Sequence, residues 1–158
     1  GENHIGQVGG PANVVQITPV LDTLIHAAGD TLFNTTVLAL AARVNGGVVV
    51  LQSLSVTDQD DQGAALDLYL LESNTTFGAI NAPPSITDVG AADCHYIGSL
   101  ATGDWKDVGG AKVASLRNIG LMVKCLAGNR SLYLAAVTQG TPTHTAGGLV
   151  VRVGFQQF

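Results

Sequence analysis

The stretch Val48–Thr57, which reads VVVLQSLSVT, decides the fold class of this chain. Its small polar residues Ser53 and Ser55 alternate with apolar neighbours, and Gln52 interrupts the alternation. The residues expected on the apolar face are Val48, Val50, Leu54 and Val56. A period of two residues predicts a half-buried β-strand rather than a helix.

The same pattern extends outward from this stretch. In Leu66–Leu71, Leu66, Leu68 and Leu70 fall on one face and Asp67 and Tyr69 on the other. This alternation predicts a second half-buried strand. Turns rich in Gly, Asn, Asp and Pro separate further short apolar segments. These segments predict strands at Val14–Val20, His95–Ala101, Ile119–Leu126, Ser131–Val137 and Leu149–Phe155.

Three segments are less regular. Asp22–Ala28 fits one helical turn or a loop, and Leu32–Arg43 accepts either strand or helix. Residues 73–93 form a long polar loop with Pro83 and Pro84. Seven to eight short strands without a long amphipathic helix predict an all-β protein, an antiparallel β-sandwich of jelly-roll or Greek-key type.

Length and glycine content set the domain boundaries. A chain of 158 residues supports one domain with a proper core, which we place at residues 14–158. Residues 1–13 hold four glycines and a proline with no periodicity, so we expect a flexible N-terminal arm.

Charge and hydrophobicity exclude several classes of protein. Only 12% of residues are charged, the net charge is −5, and 46% are hydrophobic, which excludes intrinsic disorder. Seven scattered cations make no basic stripe for nucleic acid and no basic cluster for an anionic membrane. A surface this poor in charge is either covered by Thr, Ser, Gln and Asn or covered by neighbouring subunits.

The turn Asp58–Gly63 matches the opening of a calcium-binding loop, with acids at its first and third positions and glycine at its sixth. The fifth position is Gln62, and the twelfth is Tyr69 where a bidentate glutamate is required. We therefore predict a solvated hairpin, no metal site and no cofactor.

No pattern of catalytic residues is evident. The four histidines have unrelated spacings, and neither a G-x-S-x-G elbow nor a phosphate-binding loop occurs. We predict that the protein is not an enzyme and has no catalytic or cofactor-binding residues. Cys94 and Cys125 lie in apolar runs, which indicates buried thiols, although a disulfide between neighbouring strands stays open.

Five strings of the sequence carry a resemblance, and none of them is a chemical motif: Ile17–Thr23, Asp58–Leu68, Asn118–Leu121, Gly140–Thr143 and Gly148–Val150. Together they resemble a family of small tailed-bacteriophage head proteins. The resemblance spans roughly residues 14–158 and implies a cement, or decoration, protein on the outer surface of the virion. It implies the major capsid protein as a partner, self-association as a homotrimer, and no catalytic residues.

A glycan-binding fibre or spike module of the virion is the alternative. Asp104-Trp105-Lys106-Asp107 would be its sugar-binding patch, because an aromatic ring between carboxylates suits a sugar. The same four residues also fit a loop anchored by one aromatic side chain.

Overall fold

A computed structural model describes residues 12–158, in which ten strands form two antiparallel sheets. A short helix, α1 (Asp88–Ala92), and a 3-10 turn at Thr102–Asp104 complete the regular structure of this range. The strands are β1 (Ala12–Ile17), β2 (Thr31–Leu38), β3 (Val48–Asp58), β4 (Leu66–Leu71), β5 (Cys94–Leu100), β6 (Lys106–Asp107), β7 (Lys112–Leu116), β8 (Leu121–Lys124), β9 (Leu132–Thr138) and β10 (Leu149–Gln157).

The strand order is that of a jelly roll. One sheet has the order β1-β10-β3-β7-β6, with β8 also paired to β3, and the other has the order β2-β9-β4-β5. The first strand thus pairs with the last and the second with the last but one, as in two interlocked Greek keys. β7 pairs with the second half of β3 and β8 with the first half, so together they fill one position in the sheet. The predicted all-β sandwich is confirmed.

Gln52 marks a β-bulge in β3. The pairing with β10 passes from Ser53 directly to Leu51, so Gln52 has no partner across the ladder. An extra residue reverses the face to which the preceding side chains point. Val49 and Leu51 therefore enter the core, and the prediction that Val48 and Val50 lie on the apolar face with Leu54 and Val56 is wrong.

The structure also decides two segments that the sequence left ambiguous and adds one strand that was not predicted. Asp22–Ala28 is a loop, in which a carboxylate oxygen of Asp22 accepts a hydrogen bond from the backbone of Leu24 at 2.7 Å. Of the ambiguous segment, Thr31–Leu38 is strand β2, as its β-branched threonines favour. Strand β7 was not predicted, because Lys112–Leu116 is short and contains one β-branched residue.

The hydrophobic core lies between the two sheets. Leu54 and Val56 of β3 and Val153 of β10 pack in one cluster with Leu68 of β4 and Leu134 of β9. A second, smaller cluster lies on the outer face of the four-stranded sheet, where the segment 72–93 covers it; its buried members are Leu71, Phe77, Ala135 and Val137. No helix within residues 12–158 has the length and apolar character needed to cross a membrane.

The structure bears on only part of the expected N-terminal arm. Residues 1–11 lie outside the described residues, and Ala12 and Asn13 belong to β1. The first strand thus begins two residues before the expected Val14 and ends at Ile17, because Thr18 and Pro19 continue into the loop.

Candidate functional site

The turn after β3 is organised by the buried carboxylate of Asp58, which is 1% exposed. Its oxygens accept hydrogen bonds from the backbone N–H groups of Asp60 at 2.9 Å, Gln62 at 3.1 Å and Gly63 at 2.8 Å. A carboxylate that accepts several N–H groups satisfies its buried charge locally. Asp58 therefore shapes the turn instead of facing solvent as a hairpin residue, which corrects the sequence interpretation.

The turn is joined to a distant loop, residues 139–148, through Asp60. The Asp60 carboxylate accepts hydrogen bonds from the backbone N–H and the hydroxyl of Thr145, both at 2.8 Å. The Nδ1 atom of buried His144 lies 3.3 Å from Asp60 Oδ2 and 3.7 Å from Asp58 Oδ1. The sequence offered no signal for this junction, because 84 residues separate the partners.

Asp58, Asp60 and His144 are also a group that could hold a metal ion, since one ligand atom from each lies within 4.8 Å of the others. These groups already have partners within the protein, however: Asp58 accepts from three backbone N–H groups, and Asp60 accepts from Thr145 and lies 3.3 Å from His144 Nδ1. The elements that flank the turn are strands β3 and β4, not the helices of a calcium-binding hand. We call this group the Asp60 clamp and treat it as a structural junction.

Two further features fit the Asp60 clamp. Burial acts to raise the pKa of Asp60, but the hydrogen bonds from Thr145 and the neighbouring His144 outweigh it and hold the pKa below its usual value. Gly148 leaves room for the carboxylate, since a Cβ atom there would lie 1.8 Å from Asp60 Oδ2. The clamp therefore requires both an ionised Asp60 and a glycine at position 148.

The structure contradicts the proposed sugar-binding patch at Asp104–Asp107. Trp105 is 7% exposed, packs in the main core, and donates from Nε1 to the carbonyl of Ala64 at 3.2 Å. Asp104 and Asp107 accept hydrogen bonds from nearby backbone N–H groups. A buried ring cannot stack on a sugar, so this segment is a loop anchored by its aromatic side chain.

A different aromatic site lies on the outer face of the four-stranded sheet. The ring centroid of Tyr69 is 5.0 Å from that of Phe77 and 5.6 Å from that of Tyr96. These rings border a recess of about 380 Å³, which is also lined by Pro84, Ile86, Ala91 and Cys94. Tyr96 is 56% exposed, so it presents a ring to solvent. We call this the tyrosine recess.

A polar chain borders the tyrosine recess. The Tyr96 hydroxyl donates to Ser99 Oγ, which in turn donates to Asp67 Oδ1. The other oxygen of Asp67 accepts from Gln139 Nε2 at 2.7 Å. The alternation around Leu66–Leu71 had placed Asp67 and Tyr69 on a common outward face, but nothing in the sequence linked them to Tyr96.

The two cysteines lie beside different sheets, and Cys125 is buried as expected whereas Cys94 is only half-buried. Cys94 begins β5 and Cys125 follows β8, and both thiols are free. Burial raises the pKa of each thiol, with the charge of Glu72 adding to the effect at Cys125. Two separated thiols with raised pKa values are typical of packing residues.

His26 is a buried polar side chain in the loop between β1 and β2. It is 2% exposed, and within residues 12–158 neither of its ring nitrogens has a hydrogen-bond partner. Only its backbone is tied down, through donation to the carbonyl of Pro142 at 3.0 Å. A buried polar group without a partner lowers stability.

Several of the exposed large apolar side chains of residues 12–158 lie at the two ends of the sandwich, and the rest, among them Val14, Val89 and Met122, lie elsewhere. At the end near the Asp60 clamp, Val20, Leu24 and Ile25 are 64% to 74% exposed. The opposite end contains the loops 39–47 and 125–131 and the chain terminus; its exposed apolar residues are Leu40, Val44, Leu126 and Phe158, between 40% and 58% exposed. We call these the clamp end and the Leu40 end.

No protein-family model matches the chain. No curated protein sequence matches it either.

Solved structures of virus proteins share its outline at low identity. The VP2 subviral particle of infectious bursal disease virus is 13% identical, with a TM-score of 0.35 over 94% of this chain. The PRD1 vertex protein P5 is 11% identical, with a TM-score of 0.36 over 92% of this chain and 94% of that one. A massively expanded equine rhinitis A virus particle is 14% identical, with a TM-score of 0.32 over 99% of this chain and 75% of that one.

This chain spans 38% of the bursal disease virus chain. At such TM-scores the likeness carries no argument, so the jelly-roll assignment rests on the strand order itself.

Proposed function

We propose that the protein is a structural component of a tailed-bacteriophage virion that binds the outside of the capsid and stabilises the shell as an oligomeric cement protein. The observation that carries the proposal is the set of exposed apolar side chains at the clamp end and the Leu40 end. Large apolar patches on a soluble domain mark contacts with other proteins. The sequence resemblance to phage head proteins supplies the kind of assembly.

The surroundings of the Leu40 end suit a protein contact. Its loops are held by backbone hydrogen bonds from Gly46 to Asn129, from Ala42 to Arg130 and from Cys125 to Gly47, between 2.7 and 2.9 Å long. Loops that are already ordered lose little conformational freedom on binding, which favours association. The exposed apolar residues there are therefore presented on a rigid frame.

The mechanism of stabilisation is thermodynamic linkage. A subunit that binds across joints between capsid proteins binds only the assembled shell, so it lowers the free energy of the assembled state. A trimer adds to this effect, because each subunit raises the effective concentration of the other two at the shell. No catalytic step is part of this function.

Reconstitution of shells tests the proposal. Purified protein is added to shells that lack it, and the bound copies and the shell melting temperature are measured. We expect saturation at a copy number comparable to that of the coat protein and a higher shell melting temperature. Binding of only a few copies, or a melting temperature that does not rise, would contradict the cement role.

We also propose that the protein is a homotrimer with its apolar ends in contact. Sedimentation velocity at micromolar concentration is expected to give a trimer, and Phe158→Ala and Leu40→Ala together are expected to weaken it. A stable soluble monomer would contradict this proposal.

The N-terminal arm is proposed to contact a neighbouring subunit in the assembly. Eleven residues reach at most ~40 Å when extended, which is enough to cross onto an adjacent subunit. Deletion of residues 1–11 leaves β1 intact, so we expect an unchanged melting temperature with reduced shell occupancy. Full shell occupancy after the deletion would show that the arm does not contribute to binding.

Glycan binding is a second candidate, and the tyrosine recess is the observation that favours it. Tyr96 offers an exposed ring beside a chain of hydroxyl, carboxylate and amide groups, the combination that holds the apolar and polar faces of a sugar.

Screening of the protein on a glycan array tests this candidate. Tyr96→Ala is expected to abolish any signal, and Met122→Ala, which removes an exposed apolar side chain on the other sheet, is expected to preserve it. Equal signals for the two variants would exclude the tyrosine recess.

A further inference from the structure

Positive charge is concentrated on one face of this acidic protein. Four of its seven cationic side chains, Lys106, Arg117, Lys124 and Arg152, are exposed on or beside the six-stranded sheet. Residues that pair directly across antiparallel strands point to the same side of the sheet. Arg152 pairs with Ser55 and Lys106 with Val113, while Lys124 pairs with Val48. All these positions lie opposite the core-facing residues, so they form one outward surface, which we call the cationic face.

Most acidic residues are placed elsewhere, although Asp104 and Asp107 flank Lys106 at the edge of this face. The outward positions of β1, β3, β7, β8 and β10 carry no Asp or Glu. Residues 66–93, which form β4 and the segment that covers the four-stranded sheet, contain four acids and neither Lys nor Arg. Cations therefore outnumber acids on the outward side of the six-stranded sheet, whereas the cover of the other sheet is acidic.

The cations of this face are available for a partner. Among residues 12–158 no ion pair involves Arg117, Lys124 or Arg152, and Lys106 Nζ donates only to the carbonyl of Gly103 at 3.2 Å. A protein with a net charge of −5 gains nothing in solubility from unpaired cations gathered on one surface.

A recess of about 470 Å³ opens on the cationic face. It is lined by three hydroxyl side chains, two cations and one acid: Ser55, Thr57, Ser115, Lys106, Arg117 and Asp104. Asp104 already accepts a hydrogen bond from the Ala101 backbone at 2.8 Å. Hydroxyl donors beside a guanidinium and an ammonium form a site that suits a carboxylate.

Small side chains occupy one part of the cationic face. Gly154 pairs with Ser53, and a Cβ atom at position 154 would lie 2.6 Å from Ser53 Oγ. Small residues lose little side-chain entropy when a partner covers them, which favours contact with another protein at these positions.

We infer that the cationic face is a docking surface for a carboxylate-rich protein surface, with the recess at Ser55 and Arg117 receiving an Asp or Glu side chain of the partner. Under the proposed function this partner is the capsid, and to that extent the inference rests on that function. The low charge of the face as a whole sets it apart from the dense basic stripes that grip nucleic acid.

Binding to an immobilised decaglutamate peptide at low salt tests the inference, with decalysine and a duplex DNA as comparison probes. Net charge alone makes this protein avoid a polyanion, so retention on decaglutamate requires a local cationic surface. We expect retention that salt weakens. No retention, or tighter binding to the duplex DNA, would overturn the inference.

Matched variants locate the contact. Arg117→Gln with Arg152→Gln is expected to weaken decaglutamate binding about tenfold, the change that corresponds to ~1.4 kcal/mol. Arg43→Gln with Arg130→Gln removes the same charge at the Leu40 end and is expected to change binding less than about twofold. Melting temperatures measured beside the binding separate loss of contact from loss of fold. Equal weakening by both pairs would overturn the inference.

Shell binding separates this inference from the proposed function. Wild-type protein that binds shells, together with an Arg117/Arg152 variant that does not, supports both. Shells that retain the two equally leave the cement role standing and overturn the cationic face as the contact. If shells bind neither the wild-type protein nor the variant, the cement role is contradicted. Decaglutamate binding that the Arg117/Arg152 substitutions weaken would in that case still support the cationic face as a docking surface.

Discussion

Gly148→Ala is the substitution for which the structure makes the sharpest prediction. The new methyl group would lie 1.8 Å from Asp60 Oδ2 and 2.8 Å from Asp60 Cγ, distances that no contact tolerates. Because Gly148 is buried between the two loops, Asp60 must move. Its bonds from the Thr145 backbone and hydroxyl, both 2.8 Å, are then lost.

The expected loss in the free energy of unfolding can be worked out from those two hydrogen bonds. Hydrogen bonds to a charged group contribute about 1.5–3 kcal/mol each. The Asp60 side chain is 15% exposed, so a displaced carboxylate regains some hydration and the expected loss is smaller than the sum. We expect Gly148→Ala to lower the free energy of unfolding by about 2–3 kcal/mol. In a domain of this size that is a drop in melting temperature of roughly 5–10 °C.

A double-mutant cycle isolates the cause. Asp60→Ala alone is expected to cost a similar amount, and adding Gly148→Ala to it about 1 kcal/mol or less, because only the 3.1 Å approach of the new Cβ atom to Thr145 Oγ1 remains. Gly110→Ala is the control, since a Cβ atom there meets nothing within 4 Å. Urea unfolding of wild type and the four variants measures each value. A Gly148→Ala cost that is the same with and without Asp60 would refute the reasoning.

Four further predictions concern pH, the interior and metal. The folded-state pKa of Asp60 lies below its ordinary value of 3.8, so its stabilisation is complete at neutral pH and is lost as pH falls through the lowered pKa. Asp60→Asn is expected to flatten this acidic part of a stability–pH curve. His26→Leu is expected to keep or raise the melting temperature, because it removes two buried ring nitrogens that have no hydrogen-bond partner. A fall of several degrees would indicate that the imidazole does have a partner. A chelator is expected to leave the melting temperature unchanged, because Asp58 and Asp60 already accept protein hydrogen bonds; a clear drop would show that they ligate a metal. Trp105, the one tryptophan, is expected to resist acrylamide quenching in the folded state, and Trp105→Phe to cost about 1 kcal/mol through the lost bond to Ala64.

Much of the fold is readable from the sequence because strand signals are local. Alternation within Leu66–Leu71 gave the bounds of β4 and the faces of its side chains, and the interruption at Gln52 lies at the bulge of β3. Turn residues separated these strands correctly. The sandwich class follows from such patterns, because each one reports only which face of a strand is buried.

Two features of the fold could be established only from the tertiary structure. They are which residues in the first half of β3 face the core, and the existence of strand β7. A bulge is defined by what lies across the ladder, so the sequence of β3 alone could not show that Val49 and Leu51 face inward. β7 is a strand because β3 and β6 offer it backbone partners on both sides, not because of its own propensity.

The candidate sites depend on the tertiary structure even more strongly. The sequence left two interpretations of Trp105 open, a sugar-binding patch and an aromatic anchor, and only the buried ring with the Ala64 carbonyl beside it decided for the anchor. The Asp60 clamp, the tyrosine recess and the cationic face each join residues from separate strands or loops. Composition alone determined that the protein is acidic and poor in charge. Which sheet holds the cations was decided by strand pairing, because pairing sets which side chains share a surface.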